Sequence, residues 1–460
     1  QHGRYVQTIK QNNGTSAGIF RRNEWECDVD GIEPDLDAAR GTALEPLLDK
    51  KLRRKLKPLF QTRVRRRIYP IRRGDSQIEF TVDKGKVEAA GHSSPLCEVE
   101  LELKQGEPDE LFKIAQAMGN ALPVSVASKS KAAHGYELVD GEQPGAVRGE
   151  PVELSPDADW AMAFKVIAMT CLHQIAANQP ALRKHDPEAV HQMRVGLRRM
   201  RAAISLFKVM LAGPQTDAMK EQFKWLTNEL GPARELDVFI KRVVKRADGT
   251  RANKVGQSAV AKGFRARRIQ AFDRAVHAAA SPRFRRLMLD AAAWIEVGDW
   301  TRTEDELIRA LRERTVRDAA AEELRRRRKK IRKRGAQLAD LDPLKRHKLR
   351  IQAKKLRYAT EFFAGVFPGG KSARRREKFG TQLRKLQDTL GDLNDIVVHQ
   401  GLAKQAIGPS GTPQKRRPRF VPAAFAAGRL SGGEAARFAS VMNEAEHRYA
   451  GFAKCRPFWT

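Results

Sequence analysis

A row of cationic side chains marks the stretch from Lys184 to Phe207. His191, Arg194, Arg198 and Arg201, here named stripe 1, follow one another at spacings of three, four and three residues. At about 100° per residue, these side chains share an arc of about 80° on one helix face. Guanidinium groups bind phosphate oxygens through paired hydrogen bonds, and Lys acts as a point charge. The spacing therefore predicts a helix that binds a phosphate-bearing anion.

Another face of the same helix carries the apolar residues that must hold it in place. This face is centred roughly 120° from the cations and follows the helical period. Its members are Met193, Leu197, Met200, Ile204 and Phe207. We therefore expect a helix whose back packs into a core while its front presents positive charge.

The pattern returns 156 positions later, between Arg346 and Phe363. Its cations are His347, Arg350, Lys354 and Arg357, here named stripe 2. A short motif follows each helix, and the two copies are Leu230-Gly231-Pro232-Ala233-Arg234-Glu235 and Leu390-Gly391-Asp392-Leu393-Asn394-Asp395. This internal duplication predicts two related helical halves. If the stripes face each other, they form a groove that suits a linear polyanion better than duplex DNA, whose wide groove needs a convex reading element.

Several cationic positions in this half have two interpretations. His191 and His347 are either core or capping residues, or phosphate ligands whose hydrogen bonds strengthen as pH falls. The run from Arg325 to Arg334 is largely a solvated helix face, from which we select Arg328 and Arg332 as groove residues, and we add Arg384. No nucleophile or metal cluster accompanies them in the sequence, so we expect this half to bind rather than catalyse.

The whole composition agrees with a polyanionic partner. The chain has 460 residues, with 87 Lys and Arg against 55 Asp and Glu, a formal net charge of +32. Such charge favours nucleic acid, an anionic surface or a phosphate polymer. Four scattered cysteines without C-x-x-C spacing argue against zinc and suit a reducing cytoplasm. No apolar run approaches a membrane span, since Lys165 interrupts the best candidate. The chain starts at Gln1, and we expect residues to precede it.

The periodicity divides the chain into an α+β multidomain protein. We predict an N-terminal antiparallel β tunnel or barrel, incomplete, over residues 1–138, a linker over 139–157, and two pseudo-symmetric four-helix bundles over 158–303 and 304–460. Residues 408–433 are predicted to be a flexible insertion. The eight predicted helices are Pro156–Asn178, Pro187–Leu211, Asp217–Lys245, Lys254–Val297, Glu304–Ala339, Pro343–Val366, Ser372–Ala406 and Gly433–Ala453.

Period-two alternation predicts strands in the first domain. It occurs in Arg4–Lys10, Phe60–Ile68, Gln77–Asp83 and Cys97–Lys104, and Pro108–Leu122 is predicted to be an amphipathic helix. The charged strand faces are either solvated, with cross-strand ion pairs, or turned inward. An inward face of Lys and Arg would hold phosphates, and clustered Glu would hold Mg²⁺.

Six segments of this domain resemble, in order, the later strands of CYTH-type triphosphate tunnel domains. They are GRYVQTIK (3–10), RRNEWE (21–26), FQTRVRR (60–66), SQIEFTVDKG (76–85), CEVELELKQG (97–106) and SKSKAAHGY (128–136). The resemblance implies phosphate contacts, in a catalytic role, by Lys10, Arg22, Arg66, Lys129 and Lys131. It implies metal ligands, for Mg²⁺ or Mn²⁺, among Glu24, Glu79, Asp83, Glu98 and Glu100. The first strand of that family carries a Glu-x-Glu-x-Lys signature, and no such strand stands ahead of the first of these six segments. His134 stands where the family often has Arg. Hydrolysis is therefore expected only if the native protein has the missing strands.

The duplicated helices with their Leu-Gly motifs resemble the CHAD domain, a helical module associated with inorganic polyphosphate. Two functions stay open. The first is a cytoplasmic polyphosphate-binding protein, in some cases associated with polyphosphate or storage granules, with a metal-dependent hydrolase for triphosphate or related short phosphates. The second is a non-enzymatic basic scaffold for nucleic acid or granules. Aromatic residues make up 7% of the chain and do not interleave with either stripe, whereas binders of single strands need stacking platforms. The first is favoured, with nucleic acid bound only nonspecifically.

Overall fold

A computed structural model describes residues 4–11, 23–48, 55–141, 145–245, 251–407 and 420–459. The chain divides into two compact units, Gln1–Gly145 and Ala146–Thr460. The first contains antiparallel strands with two helices, and the second is helical. The predicted fold class, a small antiparallel β region followed by an all-helical region, is confirmed.

The strands of the first unit form two separate sheets. Strands β1 (Tyr5–Gln11) and β2 (Asn23–Val29) pair with each other. The three-stranded sheet has the order β3-β4-β5, and its strands are β3 (Gln61–Arg73), β4 (Ser76–Ala89) and β5 (His92–Gln105). The two residues between β4 and β5, Ala90 and Gly91, have φ of 49° and 79°. Positive φ at both positions is the geometry of a tight hairpin turn, which sets the register of these long strands.

Two helices complete this unit, and one of them replaces a predicted strand. Helix α1 (Pro108–Ala121) follows the prediction closely. Residues 128–136, however, are not a strand, because helix α2 (Lys131–Asp140) begins inside them. Ser130 caps this helix by accepting a hydrogen bond from the amide of Ala133, and Gly141 ends it in a left-handed conformation. Capping chemistry at both ends, with alanines between, favours helix here.

The second unit consists of helices joined by short connections. They are α3 (Trp160–Ala177), α4 (Gln179–Arg183), α5 (Pro187–Leu206), α6 (Pro214–Lys245), α7 (Arg251–Ala280), α8 (Pro282–Val297), α9 (Glu306–Glu313), α10 (Val316–Gly335), α11 (Pro343–Phe362), α12 (Gly370–Ile407) and α13 (Phe420–Lys454).

Two helices that were predicted to be continuous are each divided. Ser281 interrupts the predicted helix Lys254–Val297 by capping α8, with Pro282 at the first helical position. Thr315 interrupts Glu304–Ala339 in the same way by capping α10 through the amide of Asp318. Both breaks follow from a hydroxyl side chain that satisfies a helix N-terminus.

The helices that carry the stripes begin identically. Asp186 caps α5 and Asp342 caps α11, each followed by Pro at the first helical position. Helices α5 and α11 contact one another. The grouping of the unit into two pseudo-symmetric four-helix bundles stays a prediction.

An aromatic cluster in the core joins the two repeats. The ring of Trp160 lies 4.1 Å from that of Phe207 and 5.6 Å from that of Phe363, between centroids. Phe207 and Phe363 occupy the same position in the two repeats, at the ends of the apolar faces. Both are at most 1% exposed. Trp160 therefore packs against the equivalent phenylalanine of each repeat. Each ring contact contributes about 0.5–1.5 kcal/mol to stability beyond the burial of its surface.

Three other predictions concern the segments around this core. In the segment predicted as a linker, Val152 and Leu154 are buried within the helical unit. Within the predicted insertion, residues 408–419 lie outside the described residues, whereas α13 begins at Phe420. The second half is therefore helical, in keeping with its four alanines between 423 and 427.

The stretch Trp160–Arg183 is long and apolar enough to cross a membrane, although we expected no such run. In the structure, 72% of its most apolar window is buried inside the protein. Helix α3, which forms most of this stretch, packs against α5 and α8. This stretch therefore has the burial that is typical of a core helix.

Candidate functional site

The apolar backs of α5 and α11 are buried, and this orients the two stripes. Met193, Leu197 and Met200 are at most 1% exposed, and Leu349 and Leu356 are fully buried. On the other faces, the side chains of stripes 1 and 2 are half-buried, except that of Arg201, which is exposed. The sequence periodicity thus predicted which side of each helix is buried.

The stripes meet where Arg198 lies beside Arg350 and Lys354. The positive charge of Arg198 lowers the pKa of both of these groups, although burial is the larger cause for each. For Lys354, burial with the charges of Arg350, Arg198 and Arg357 lowers the pKa from 10.5 to about 7. Cations from both repeats therefore share one poorly solvated region, which is unfavourable until an anion enters it.

Three arginines of this region have unsatisfied hydrogen-bond donors. The Nε atoms of Arg194, Arg198 and Arg350 are buried and have no hydrogen-bond partner among the described residues. A buried donor without an acceptor costs about 1–3 kcal/mol. Such donors favour a ligand with several acceptor oxygens.

The glycines of the two Leu-Gly motifs lie near equivalent arginines. An added Cβ at Gly231 would lie 3.1 Å from Nη1 of Arg194, and one at Gly391 would lie 3.9 Å from Nε of Arg350. Arg194 also donates to the carbonyl of Thr227 at 3.2 Å, one turn before its glycine. Gly231 thus lets the guanidinium of Arg194 lie close to the neighbouring helix, whereas at Gly391 a Cβ would make an ordinary contact with Arg350.

The two histidines have different neighbours, although they occupy equivalent positions. Nδ1 of His347 lies 2.6 Å from the side-chain oxygen of Asn394. The equivalent of Asn394 in the first motif is Arg234. Burial, and then the charge of Arg234, lower the pKa of His191 below its usual 6.5. His191 is therefore the histidine whose charge the surroundings oppose.

Acidic residues lie at the edge of the stripes without neutralising them. The negative charge of Asp395 raises the pKa of Arg350 and of Lys354, against the larger lowering by burial. Glu235 lies 4.0 Å from Arg194. Arg357 donates to Gln387 at 2.7 Å and to Glu361 at 2.6 Å. Among these groups, only Arg357 has a close carboxylate partner in the described part of the chain.

The other predicted groove residues fall in different places. Arg384 is exposed. Burial raises the pKa of Asp388, and the charges of Arg357, Arg384 and Lys354 oppose this rise, so Arg384 lies near the end of stripe 2. Arg328 instead donates to the carbonyls of Ala453 and Cys455, at 3.2 and 2.7 Å. Arg332 lies beside Arg328, and its carbonyl accepts a hydrogen bond from Tyr449. The structure therefore places Arg328 and Arg332 against the end of α13 and does not bring them to the stripes.

In the first unit, the structure brings together five of the predicted residues. Asp83, Glu98 and Glu100 offer carboxylate oxygens within 4.8 Å of one another. Lys131 forms ion pairs with all three, at 2.9 Å to Asp83 and 2.8 Å to Glu100, and a closer one to Glu98. Arg66 binds both oxygens of Asp83, at 2.8 and 2.6 Å, and Glu100 at 3.1 Å. We name these five residues the Asp83 cluster.

Electrostatics in this cluster favour the charged forms of Asp83 and Lys131. Asp83 is fully buried, and its hydrogen bond from Arg66 is the main reason that its pKa is lowered. The pKa of Lys131 is raised because its bonds to the three carboxylates outweigh burial. The cluster has three acids against two bases, and its ammonium group occupies the position of a cation among oxygen ligands. Carboxylate oxygens are the ligands that Mg²⁺ prefers, so these residues fit a divalent cation.

The remaining predicted residues of this unit lie elsewhere. Lys10 pairs with Glu24 at 2.9 Å across the separate β1–β2 sheet, and Lys129 pairs with Glu137. Glu79 lies 4.0 Å from Lys104, and its charge also acts on Arg66, so it borders the Asp83 cluster without forming an ion pair in it. Arg22 lies outside the described residues. Lys10, Glu24, Lys129 and Glu79 are thus outside the Asp83 cluster.

Sequence reasoning did not single out several residues that act on the stripes by a hydrogen bond or by their charge. They are Arg234 and Asn394 beside the histidines, Asp395 beside Arg350, and Gln387 beside Arg357. Arg234, Asn394 and Asp395 could have been found from the sequence, because they belong to the two copies of the duplicated motif. Gln387 lies outside the motifs and has no such signal.

The chain is similar to known proteins in both of its units. The CHAD domain family model matches residues 166–404, and the CYTH domain family model matches residues 1–136. A crystal structure of the CHAD domain from the plant Ricinus communis is 30% identical, with a TM-score of 0.56, over 68% of this chain and 98% of that chain. PptA from Streptomyces chartreusis is 15% identical, with a TM-score of 0.46, over 64% of this chain and 100% of that chain.

One curated relative resembles a short part of the chain. An inorganic triphosphatase from Haemophilus influenzae is 36% identical over 63 residues, which is 14% of this chain. The match spans 18% of that relative's length.

Proposed function

Because this chain belongs to the CHAD family and carries a CYTH domain ahead of its CHAD domain, we propose that it binds inorganic polyphosphate between stripes 1 and 2. The observation that carries the proposal is the meeting of Arg198 with Arg350 and Lys354. These cations come from two repeats and lie half-buried together. A chain of phosphoryl groups supplies negative charge at short, regular intervals along such a row.

The unsatisfied donors support a phosphate ligand in particular. The buried Nε atoms of Arg194, Arg198 and Arg350 need acceptors, and a phosphate chain has oxygens on every unit. An entering anion would also restore the charge of Lys354, whose pKa is lowered to about 7 in the free protein. Nucleic acid fits less well, because the aromatic ring that contacts stripe 2 at Arg357, that of Tyr358, is 3% exposed. A buried ring offers no surface on which a base could stack.

We propose that the first unit acts on triphosphate or a related short phosphate with a divalent cation. Asp83, Glu98 and Glu100 would hold the cation, which neutralises phosphoryl oxygens and makes bound water more acidic. Arg66 and Lys131 adjoin these carboxylates, where they would neutralise and orient the phosphate chain. The similarity to an inorganic triphosphatase over 63 residues supports this choice of substrate.

A competition titration tests the binding function. The full chain is titrated with long-chain polyphosphate and with duplex DNA at equal phosphate concentration. Arg198→Gln/Arg350→Gln is compared with Lys220→Gln/Lys224→Gln, which removes the same charge at exposed positions of α6. We expect the first variant to lose about tenfold or more of its polyphosphate affinity, with little change for DNA. Equal losses in both variants, for both polymers, would show nonspecific charge attraction instead.

A phosphate-release assay with tripolyphosphate and Mg²⁺ tests the hydrolase. Glu98→Gln should abolish the metal-dependent activity. Glu102→Gln is the matched control, because Glu102 lies on the same strand and pairs with Lys104 outside the Asp83 cluster. Metal-dependent activity that is equal in both variants would contradict the proposal.

A further inference from the structure

A second group of cations surrounds Ser205, near the end of α5. Lys355, from α11, donates to the hydroxyl of Ser205 at 3.0 Å. Arg327, from α10, donates to the carbonyl of the same residue at 2.8 Å. Two cations from different helices thus converge on one residue. They lie apart from the meeting point of the stripes, because Lys355 and Lys354 project from different sides of α11.

Two further cations belong to this group. Arg201 precedes Ser205 by one helical turn and is exposed, and Lys330 follows Arg327 by three residues on α10. Burial lowers the pKa of Lys355, and the charges of Arg327, Arg201 and Lys330 lower it further. We name Arg201, Arg327, Lys330 and Lys355 the Ser205 cluster. It includes Arg201 of stripe 1, whose charge acts on Lys355.

The Ser205 cluster has more cations than acids to neutralise them. Of its members, Arg327 binds the carboxylate of Glu323 at 2.7 Å, and both donors of Arg326 bind the same carboxylate at 2.6 Å. In the described ranges of the chain, no carboxylate forms an ion pair with Arg201, Lys330 or Lys355. The cluster therefore retains a net positive charge in a partly buried place, and this charge is repulsive without a counterion.

The first repeat differs from the second at the position of Lys355. The counterpart of Lys355 in the first half is Arg199, which is 7% exposed. Arg199 donates to Gln174 at 2.8 Å and to the carbonyl of Glu150 at 3.2 Å, and it lies 5.7 Å from the ring centroid of Phe362. Those contacts give Arg199 a packing role. The Ser205 cluster instead leaves an ammonium group with a hydroxyl as its bonded neighbour.

We propose that the Ser205 cluster is a second anion site, separate from the meeting point of the stripes, which binds a phosphoryl group of a phosphate chain. Lys355 donates to the hydroxyl of Ser205 and Arg327 donates to its carbonyl, and phosphate oxygens accept bonds from both ammonium and guanidinium groups. The proposal rests on the proposed function for its choice of polyphosphate as the ligand, but not for the existence of the site.

Residue-level labelling of the full chain tests this site. Lysine amines are acetylated with and without tripolyphosphate, and labelling is quantified by mass spectrometry. We expect tripolyphosphate to reduce the labelling of Lys355 and Lys330 severalfold, because it covers them and favours the unreactive charged form. Lys220 and Lys224 on α6 are the internal controls. Equal labelling of Lys355 with and without tripolyphosphate would overturn the proposal.

A variant separates this site from the stripes. In Arg198→Gln/Arg350→Gln, protection of Lys355 should persist even if polyphosphate binding between the stripes is lost. Loss of protection in this variant would mean that Lys355 is shielded only by an anion held elsewhere, which would refute a separate site. The labelling is repeated with orthophosphate. If orthophosphate protects Lys355 as well as tripolyphosphate does, the site binds a single phosphate, and if only tripolyphosphate protects, the site requires a chain. Protection by either ligand supports the anion site.

Stability provides an independent readout. Lys355→Met should raise the thermal midpoint of the anion-free protein, because it removes a cation from among cations. It should also reduce the stabilisation by tripolyphosphate relative to the wild-type chain. Arg199→Met, at the equivalent position of the other repeat, should lower the midpoint. A lower midpoint for Lys355→Met would identify Lys355 as a structural residue and overturn the proposal.

Discussion

The imidazole of His347 donates through Nδ1 to the side-chain oxygen of Asn394, over 2.6 Å. A bond at Nδ1 fixes the ring orientation and leaves Nε2 as the free nitrogen. Asn394 belongs to the second Leu-Gly motif, so the motif and the stripe act together. The first repeat has Arg234 at this position, and that charge opposes a charged His191. The duplication has therefore produced two chemically different histidines.

Removal of the Asn394 side chain should weaken polyphosphate binding. In Asn394→Ala, His347 loses its bonded acceptor, and we expect a loss of about three- to tenfold in affinity, in line with one hydrogen bond. Isothermal titration gives the affinity, and nitrogen NMR of the imidazole gives the tautomer. Asn394→Asp, which keeps an acceptor, should preserve the tautomer. An unchanged tautomer in Asn394→Ala would contradict this role.

Lys354 should make polyphosphate binding dependent on pH above neutrality. Burial and neighbouring cations lower its pKa to about 7 in the free protein, whereas a bound anion favours the ammonium form. Binding above pH 7 must then take up a proton, so affinity should fall with rising pH by up to about tenfold per unit. Lys354→Arg stays charged and should flatten this dependence. Affinities measured between pH 6.5 and about pH 9 decide the matter, and identical slopes in both proteins would refute it.

The glycines of the two motifs should differ in their tolerance of alanine. At Gly231 a Cβ would come within 3.1 Å of Arg194, so the guanidinium must shift, whereas at Gly391 the distance of 3.9 Å is an ordinary contact. Both positions lie in helices, where Ala is favoured over Gly by about 1 kcal/mol. We expect Gly391→Ala to stabilise the protein and to bind polyphosphate normally. Gly231→Ala should bind severalfold more weakly. Thermal unfolding and titration of both variants test this, and equal binding would show that Arg194 does not contact the ligand.

Lys131 should compete with a divalent cation for the three carboxylates. In Lys131→Met, Asp83, Glu98 and Glu100 lose an ammonium group that binds all of them. Without metal, we expect this variant to be less stable by about 1–3 kcal/mol, because Asp83 is fully buried. Added Mg²⁺ should raise its thermal midpoint more than that of the wild-type chain. Lys129→Met, whose partner Glu137 lies outside the cluster, is the control. An equal response to Mg²⁺ in all three proteins would exclude the metal site.

The sequence predicted the features of this protein that depend on the spacing of residues within one helix or strand. The helical period of stripe 1 identified both its cations and its buried back, because a regular helix converts spacing directly into direction. The alternation in β5 placed Glu98 and Glu100 on one strand face for the same reason. The predicted strand at residues 128–136 was wrong, because the capping bond of Ser130 and the following alanines favour helix.

Tertiary structure decided which of these side chains meet. Arg198 and Lys354 lie 156 positions apart, and only the packing of α5 against α11 brings their charges together. The contacts of Arg328 and Lys355 could not be predicted from the sequence for the same reason. Both are cations on predicted helices, but contacts with other helices place one against carbonyl groups and the other beside Ser205. Spacing along one helix gives direction within that helix, whereas distance between helices depends on how their buried faces pack.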